Sequence, residues 1–301
     1  MTPGRWAALR HGLTLAGLLY IAAVWLRIAP YAEPVPEYGP MFDAYGIWNA
    51  WDGGLYDIPW LEYEAYVYSP AFAQLIYPLT LLPWPVFAAL WTGLAIGILF
   101  WMRVPWMLAF PGVIDDILRG NIHVFLAGAV VLAVWRAPWG AGAWAFPFLT
   151  KVTPGVGILW HPLRGEWRAL AIGLGLTGAI VGVSVLTVPD LWVEWITLLA
   201  ANVGSDPRIQ VVPLPFLVRL PVGVALVVVA ARWNRSWLLP IGVMLALPNV
   251  WTSSLALLAG SAALWWAERR SAPAASGGTP LERGGAPVEG NGALNVPGID
   301  P

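Results

Sequence analysis

Apolar residues are concentrated in long runs along most of the chain, separated by short polar or proline-rich stretches. Such runs are typical of membrane helices, because one span needs about 20 consecutive apolar residues. The pattern predicts apolar segments at about 12–29, 70–82, 84–102, 120–135, 139–160, 168–187, 209–230, 237–248 and 250–267. Several are shorter than a span, so some are expected to be tilted, broken or re-entrant. We therefore predict an all-α polytopic membrane helix bundle with about eight to ten membrane segments.

The two ends of the chain differ in composition. Arg5 and Arg10 precede the apolar stretch that begins at Gly12, and no small-residue cleavage site follows it, which favours an uncleaved first transmembrane helix over a signal peptide. Residues 271–301 are rich in Gly, Pro, Ala and Ser, which predicts a disordered tail. The predicted domains are thus a membrane domain at 1–270 and a tail at 271–301.

Arginine placement predicts the orientation, because cytoplasmic loops carry an excess of basic residues. Arginines at positions 5 and 10, 164 and 168, 232 and 235, and 269 and 270 mark the cytoplasmic side. Both termini are then cytoplasmic, the acidic loop at about 30–68 lies outside, and the protein belongs in the plasma membrane as a multi-pass protein.

Arginines at 136 and 164 flank the segment 139–160 and both favour the cytoplasmic side, so the segment would have to cross the membrane and return. It is too short for two full spans. We interpret it as two half-helices interrupted at "TKVTP" (150–154) that enter and leave on the same side. A single span with Lys151 at its centre is the alternative.

Composition narrows the class of protein. The 301 residues are 58% hydrophobic and 11% charged, with mean hydropathy +0.67, which excludes an ordinary soluble domain. The net charge of −1 argues against nucleic acid as a partner. The chain has no cysteine, which rules out disulfides and thiolate chemistry. Many of the 21 Trp residues lie near segment ends, as in an interfacial aromatic belt.

The stretch "MFDAYGIWNAWDGGLYDIPWLEYEAYVYSP" (41–70) combines five carboxylates with nine aromatic rings, and no Lys or Arg occurs between Arg27 and Arg103. We expect this loop to lie along the membrane surface as short amphipathic helices. Asp43 stands beside Phe42, where an apolar surround would raise its pKa and suit it to general-base catalysis. The acids of "WDGGLYD", at positions 52 and 57, are as well explained by turn capping.

Lys151 is the only lysine, and it lies inside an apolar segment. A buried ammonium is costly unless it is paired, so intramembrane charges are candidates for function. The functional interpretation is a point charge for a phosphate; snorkelling to the interface is the alternative.

In "VIDDILRGNIHVF" (113–125), Asn121 and His123 open an apolar helix. Helical pitch would place them about 200° apart, so that one faces a cavity and the other the interface. A structural, hydrogen-bonded histidine is the alternative to a site role. Asp115 and Asp116 are interpreted as surface acids.

The elements "FDAY", "GGLYD" and "YSPAFAQLIYPLTLLP", followed by "GNIH" and "TKVTPGVGILW", resemble in order and spacing glycosyltransferase family 87. That family comprises polyprenol-phosphate-mannose-dependent mannosyltransferases of the GT-C superfamily, and the resemblance covers about residues 12–187. Three positions depart from the family pattern. Asn121 and His123 replace a Gln and an Asn, and in "PNVWTSS" (248–254) Ser253 stands where a late His is common.

The resemblance implies a GT-C-like fold and inverting transfer of a hexose, mannose being favoured, from a polyprenyl phosphate to a lipid or glycan acceptor. Asp43 would be the catalytic base, while Lys151, with Arg208 or His123, would stabilise the departing phosphate. Tyr45, Tyr68 and Asn121 would line the substrate. No metal and no cofactor is expected, since a phosphate with a cationic partner can depart alone.

Two other functions fit parts of the sequence. A transporter or flippase for a polyprenyl-linked lipid would explain the buried charge but not the aromatic-lined outer carboxylates. A non-catalytic membrane partner in envelope glycolipid assembly would agree with the missing late His and the short chain.

Overall fold

The computed structural model describes residues 2–28, 40–60, 62, 64–201 and 210–271. Helices and turns make up this part of the chain, and no strand occurs in it, so the predicted all-α fold is confirmed. The α-helices are α1 Pro3–Ile28, α2 Phe42–Trp48, α3 Pro70–Thr80, α4 Trp84–Trp101, α5 Pro111–Arg119, α6 His123–Trp135, α7 Ala145–Thr150, α8 Trp160–Leu163, α9 Trp167–Thr187, α10 Pro189–Ala201, α11 Phe216–Arg232, α12 Leu239–Leu245 and α13 Leu258–Ser271. Short 3-10 helices at Pro105–Ala109, Trp139–Trp144, Thr153–Leu159, Ser236–Leu238 and Thr252–Leu257 connect several of them.

Three described helices are long and apolar enough to cross a membrane: Gly4–Arg27 within α1, and the whole of α4 and α9. A fourth span results if α5 and α6, which meet at 112°, count as one. Large apolar side chains project outward from these helices, such as Leu186, which is 85% exposed. The remaining predicted segments are shorter helices, so the protein is a multi-pass bundle with several broken segments.

The core of the bundle is built around α6. Most of its apolar residues are buried, against α4, α13 and the 3-10 helices at Trp139–Trp144 and Thr252–Leu257, while Leu132 is 36% exposed. Gly128 lets α4 approach, since a Cβ there would lie 2.8 Å from the side chain of Ile98. A helix that is apolar around its whole circumference must be enclosed in this way.

Helices α4 and α6 run side by side in the same direction. Trp91 packs on Phe125 with ring centroids 4.7 Å apart, and Trp101 packs on Trp135 at 5.6 Å. The segment that connects the end of α4 to the start of α6 must therefore run back along α4, to the level of Trp91. That return ends at Gly120, which brings the turn between α5 and α6 beside Trp91.

The segment 139–160 forms a hairpin. A Cβ on Gly173 of α9 would lie 2.9 Å from the Ala141 carbonyl oxygen and 3.0 Å from Ile158 Cδ1, so both arms meet α9 at one level. Seventeen residues of continuous α-helix would separate those two positions by about 26 Å. The alternative of a single span is therefore wrong, and the break at 150–154 is confirmed, because α7 ends at Thr150 and the next helix starts at Thr153.

The acidic loop packs on protein, which corrects the expectation of amphipathic helices along the membrane surface. Within its described residues, α2 is the one α-helix, and Ala44 and Ile47 of α2 are fully buried. Tyr45 packs edge-on against Trp84 of α4 at 5.0 Å. Trp48 also packs against Trp84, and Trp51 packs against Tyr77 of α3, so these rings of the loop contact the helix bundle. Arg208 and all but Ser271 of the predicted tail lie outside the described residues.

Candidate active site

Asp43 lies in the first turn of α2 and is bound by a residue from the α5–α6 turn. Asn121 Nδ2 donates to Asp43 Oδ2 at 2.7 Å, while Asn121 Oδ1 accepts from the backbone N–H of Ile122 at 2.8 Å. The second contact fixes which end of the amide faces the carboxylate. Asn121 is therefore a positioning donor for Asp43, and it stands before α6 instead of on it, which corrects the expected helical spacing from His123.

The α5–α6 turn can approach α2 because residue 120 is glycine. Gly120 has φ +67°, and a Cβ there would lie 2.4 Å from the Cβ of Ala44. The Gly120 carbonyl accepts from Trp91 Nε1 at 2.9 Å, which holds the turn against α4. A left-handed backbone and this close approach both favour glycine.

The environment of Asp43 suits a base. Burial raises the pKa of its carboxyl above the ordinary value, while the charges of Lys151, His123 and Arg119 and the bond from Asn121 act in the opposite direction. The side chain is nonetheless half-buried, so one part of it faces open space. A carboxylate with a raised pKa and an accessible face can accept a proton from a substrate hydroxyl.

Lys151 lies at the tip of the hairpin, next to the segment that starts α3. Ser69 Oγ donates to the Leu149 carbonyl at 2.6 Å and accepts from the N–H of Phe72 at 3.2 Å, so one hydroxyl both caps α3 and anchors the hairpin tip. The Lys151 ammonium is 5.1 Å from the ring centroid of Tyr68, a cation–π contact. In the described part of the chain no carboxylate lies within ion-pair distance of Lys151. Its charge is therefore open to an external anion.

A buried acid, Asp116, organises the same turn. Asp116 is fully buried, and its carboxylate accepts from the backbone N–H groups of His123 at 3.2 Å and Val124 at 2.9 Å. Its interpretation as a surface acid is wrong; the carboxylate caps the start of α6. Asp115 does behave as predicted, partly exposed and paired with Arg119 at 2.9 Å. The signal was present, since Val113, Asp116 and Ile117 share one face of α5.

His123 links this acid to the late part of the chain. Its Nδ1 is 2.9 Å from Asp116 Oδ1, and its Nε2 is 3.2 Å from Ser254 Oγ. Both ring nitrogens are thus engaged and the ring is 1% exposed, so His123 holds structure in place and does not reach a substrate phosphate directly. Ser253, at the position of the expected late His, is buried without a hydrogen-bond partner; its neighbour makes the contact.

Ser254, His123 and Asp116 are connected in the same way as the serine, histidine and aspartate of a hydrolase triad. Their environment, however, does not suit nucleophilic catalysis. Ser254 is fully buried, and its hydroxyl accepts from the N–H of Trp251 at 3.1 Å, as a helix cap does. A nucleophile must reach a substrate carbonyl. The constellation therefore fastens the segment Thr252–Leu257 to α6.

Of the other predicted site residues, Tyr68 lies beside Lys151 and Tyr45 does not. Tyr68 is 4% exposed and its ring contacts Lys151, whereas the ring of Tyr45 packs against Trp48 and Trp84. Asp57 caps a turn, because its Oδ2 accepts from the N–H of Gly54 at 3.1 Å. Across the described residues, no three His, Asp or Glu side chains converge as a metal site would require.

Comparison with known proteins decides the family. A family model described as glycosyltransferase family 87 matches residues 66–279, more than two thirds of the 301 residues. The chain belongs to glycosyltransferase family 87. No curated protein and no solved structure matches the chain.

Membership of this family makes the protein a membrane-embedded glycosyltransferase. The matched region differs from the extent expected from the sequence, about 12–187, since it starts after Asp43 and continues through α13. It contains Asn121, His123 and Lys151. The family 87 match thus covers the partners of Asp43 but not Asp43 itself.

Proposed function

We propose that this glycosyltransferase transfers a hexose, mannose being favoured, from a polyprenyl phosphate to a hydroxyl of a membrane lipid or glycan acceptor. The observation that carries the proposal is the proximity of two unlike charges, each on a partly exposed side chain. Asp43 is a half-buried carboxylate, and Lys151, without a carboxylate partner among the described residues, lies close enough for its charge to lower the pKa of Asp43.

The residues would divide the chemistry between them. Asp43 takes the proton of the acceptor hydroxyl as its oxygen attacks the anomeric carbon, and the bond from that carbon to the phosphate oxygen breaks with inversion. Negative charge then grows on the phosphate, where a fixed ammonium gives the most stabilisation. Lys151 supplies that charge. Arg208, which lies outside the described residues, is a second candidate for the same role.

A groove beside Lys151 fits the lipid part of such a donor. It is an apolar cavity of about 380 Å³ between α3, α6, the hairpin and α9. Its lining is apolar throughout and includes Phe72, Leu75, Leu132, Phe146, Leu149 and Ile180. Leu149 is two residues before Lys151, so an isoprenoid chain in the groove would bring its phosphate to the ammonium. Leu75 is 56% exposed on the outer surface of the bundle, which gives the chain a lateral way in from lipid.

The proposed location is the plasma membrane, with Asp43 at the outer side and both termini in the cytoplasm. Arginine placement supports this orientation. Asp43 would then meet donors that have already been flipped to the outer leaflet.

The proposal is tested by incubating purified protein with radiolabelled polyprenyl-phospho-mannose and a membrane lipid extract. Label in a new, more polar lipid is the expected result, and a panel of other polyprenyl-phospho-sugars identifies the preferred hexose. Movement of intact donor between leaflets of a vesicle without transfer would contradict the proposal and favour a flippase.

A further inference from the structure

Three arginines gather at the end of the bundle away from α2. Arg10 is in α1, Arg103 follows α4, and Arg270 is in the last turn of α13. The guanidinium carbons of Arg10 and Arg270 are 4.7 Å and 5.2 Å from the ring of Trp266. Partial desolvation of the exposed Arg270, then the charges of Arg103 and Arg10, lower the pKa of Arg270, so both of the other cations lie close enough to repel it.

This arginine cluster is separate from the candidate active site. Met41, next to α2, contacts Thr92 of α4 at 3.8 Å, and Arg103 comes eleven residues later. Eleven helical residues span roughly 16 Å. The Trp101–Trp135 pair lies at the same end of α4 as Arg103, which is the pattern of an interfacial aromatic belt.

The cluster lacks the acceptors that its donors need. Among the described residues, no carboxylate lies within 4.0 Å of any of its arginines. Glu268, in the same turn as Arg270, is bound instead by the N–H and hydroxyl of Ser236 at 2.7 Å and 2.6 Å. Arg10 Nε and Trp266 Nε1 are buried N–H groups without a hydrogen-bond partner. Buried donors normally have a hydrogen-bond partner. Two buried donors without one, next to three arginines without a carboxylate partner among the described residues, indicate a binding site for an anion.

A buried arginine elsewhere shows the contrast. Arg219 in α11 is 1% exposed, and its guanidinium donates to four backbone carbonyls and to Gln210. Its donors are therefore used within the fold. The cluster around Trp266 has no comparable set of acceptors among the described residues.

We propose that Arg10, Arg103 and Arg270 bind the phosphate group of an anionic membrane lipid. Arg103 and Arg270 are exposed and form the rim, while Arg10 is half-buried below them. Guanidinium groups suit phosphate oxygens because they offer paired N–H donors in one plane. The Trp266 N–H adds a fourth donor, and the surrounding tryptophans place the site in the headgroup layer. This site does not depend on the proposed transfer reaction.

Native mass spectrometry of the purified full chain with phosphatidylglycerol or phosphatidylcholine tests this site. One arginine near an anionic lipid surface contributes enough binding free energy that its removal weakens binding by about five-fold. We expect Arg103→Gln and Arg270→Gln each to raise the Kd for phosphatidylglycerol by roughly that factor, with phosphatidylcholine unchanged. Arg168→Gln is the matched control, because Arg168 is also exposed and stacked on a tryptophan, Trp139, at 4.8 Å.

Equal loss of phosphatidylglycerol in Arg168→Gln would overturn the site, since general surface charge would then explain the binding. Equal affinity for phosphatidylcholine in the unchanged protein would overturn it as well. If glycerol phosphate at the same concentration as the lipid displaced it, the site would bind phosphate, but its ligand would be a soluble phosphate ester and the assignment to a lipid would be overturned. Sugar transfer that is absent throughout would leave these results unaffected.

Discussion

Asn121 and Asp43, which are 78 residues apart in the sequence, are joined by a hydrogen bond of 2.7 Å from the amide of one to the carboxylate of the other. This bond ties the acidic loop to the centre of the bundle. It also stabilises the charged form of Asp43 against the burial that raises its pKa. The position of the proposed base is thus set by the turn that starts α6.

Asn121→Ala removes that bond and should shift the pH dependence of transfer. Asp43 works as a base when ionised, so activity rises with pH through its pKa. Loss of the donor raises this pKa further, and the acidic limb of kcat/KM should move to higher pH. Asn49→Ala is the control, because Asn49 bonds Glu64 at 3.5 Å and not Asp43. An unmoved limb in Asn121→Ala would show that the bond has no bearing on the titrating group.

Lys151 can be probed by two substitutions that separate charge from shape. Lys151→Met removes a charge that lowers the pKa of Asp43, so the acidic limb should move to higher pH. Donor affinity should also fall, by about ten-fold or more for a lost charged hydrogen bond. Lys151→Arg keeps the charge but changes the donor geometry, so turnover should fall while the limb stays in place. Donor affinity unchanged in Lys151→Met would favour snorkelling instead.

Gly120→Ala should disturb both the fold and the site. The backbone at this position is left-handed, which costs an L-residue roughly 1–2 kcal/mol, and the new Cβ would meet Ala44 at 2.4 Å. Melting of the purified protein should shift to lower temperature and transfer should fall. Gly93→Ala in α4 is the control, since nothing lies within 4 Å of a Cβ there. If both variants melt alike, the approach of α2 to the α5–α6 turn is not tight.

Much of the fold was predictable because apolar runs and breaks are local features. The break at 150–154 is visible in the sequence, since Lys151 interrupts the apolar run and Pro154 follows it. Asp43 could be singled out for a similar reason, as an acid among rings with no neighbouring base. These signals need no knowledge of which segments meet.

The contacts between distant segments were not predictable. Ser254 meets His123 across 131 residues, and nothing in either stretch specifies the other. Asp115 and Asp116 are adjacent acids of the same type, but one residue along the helix turns the Asp116 side chain to the buried face of α5. The rings of the loop around Asp43 suit either lipid or a helix bundle, so the sequence alone does not distinguish the two, whereas the packing of Tyr45 on Trp84 shows contact with the bundle.

Cysteine labelling tests the orientation, and the chain offers a background without cysteine. Asp52→Cys should react in intact cells with a membrane-impermeant thiol reagent, because Asp52 is exposed in the loop that we propose to lie outside. Arg164→Cys should react after the cells are permeabilised. Labelling in the reverse order would place Asp43 in the cytoplasm and contradict a donor drawn from the outer leaflet.

The most direct test is single-turnover transfer of radiolabelled sugar by Asp43→Asn beside Asp52→Asn and Asp57→Asn. Asn keeps the shape of Asp43 and can still accept the bond from Asn121, but it cannot take a proton. General-base contributions are about 10²–10⁴-fold, so transfer by Asp43→Asn should fall by at least about two orders of magnitude while donor binding persists. Asp52→Asn and Asp57→Asn should retain most activity. Near-normal transfer by Asp43→Asn, with activity abolished in either of the other two, would contradict the assignment of Asp43 as the base.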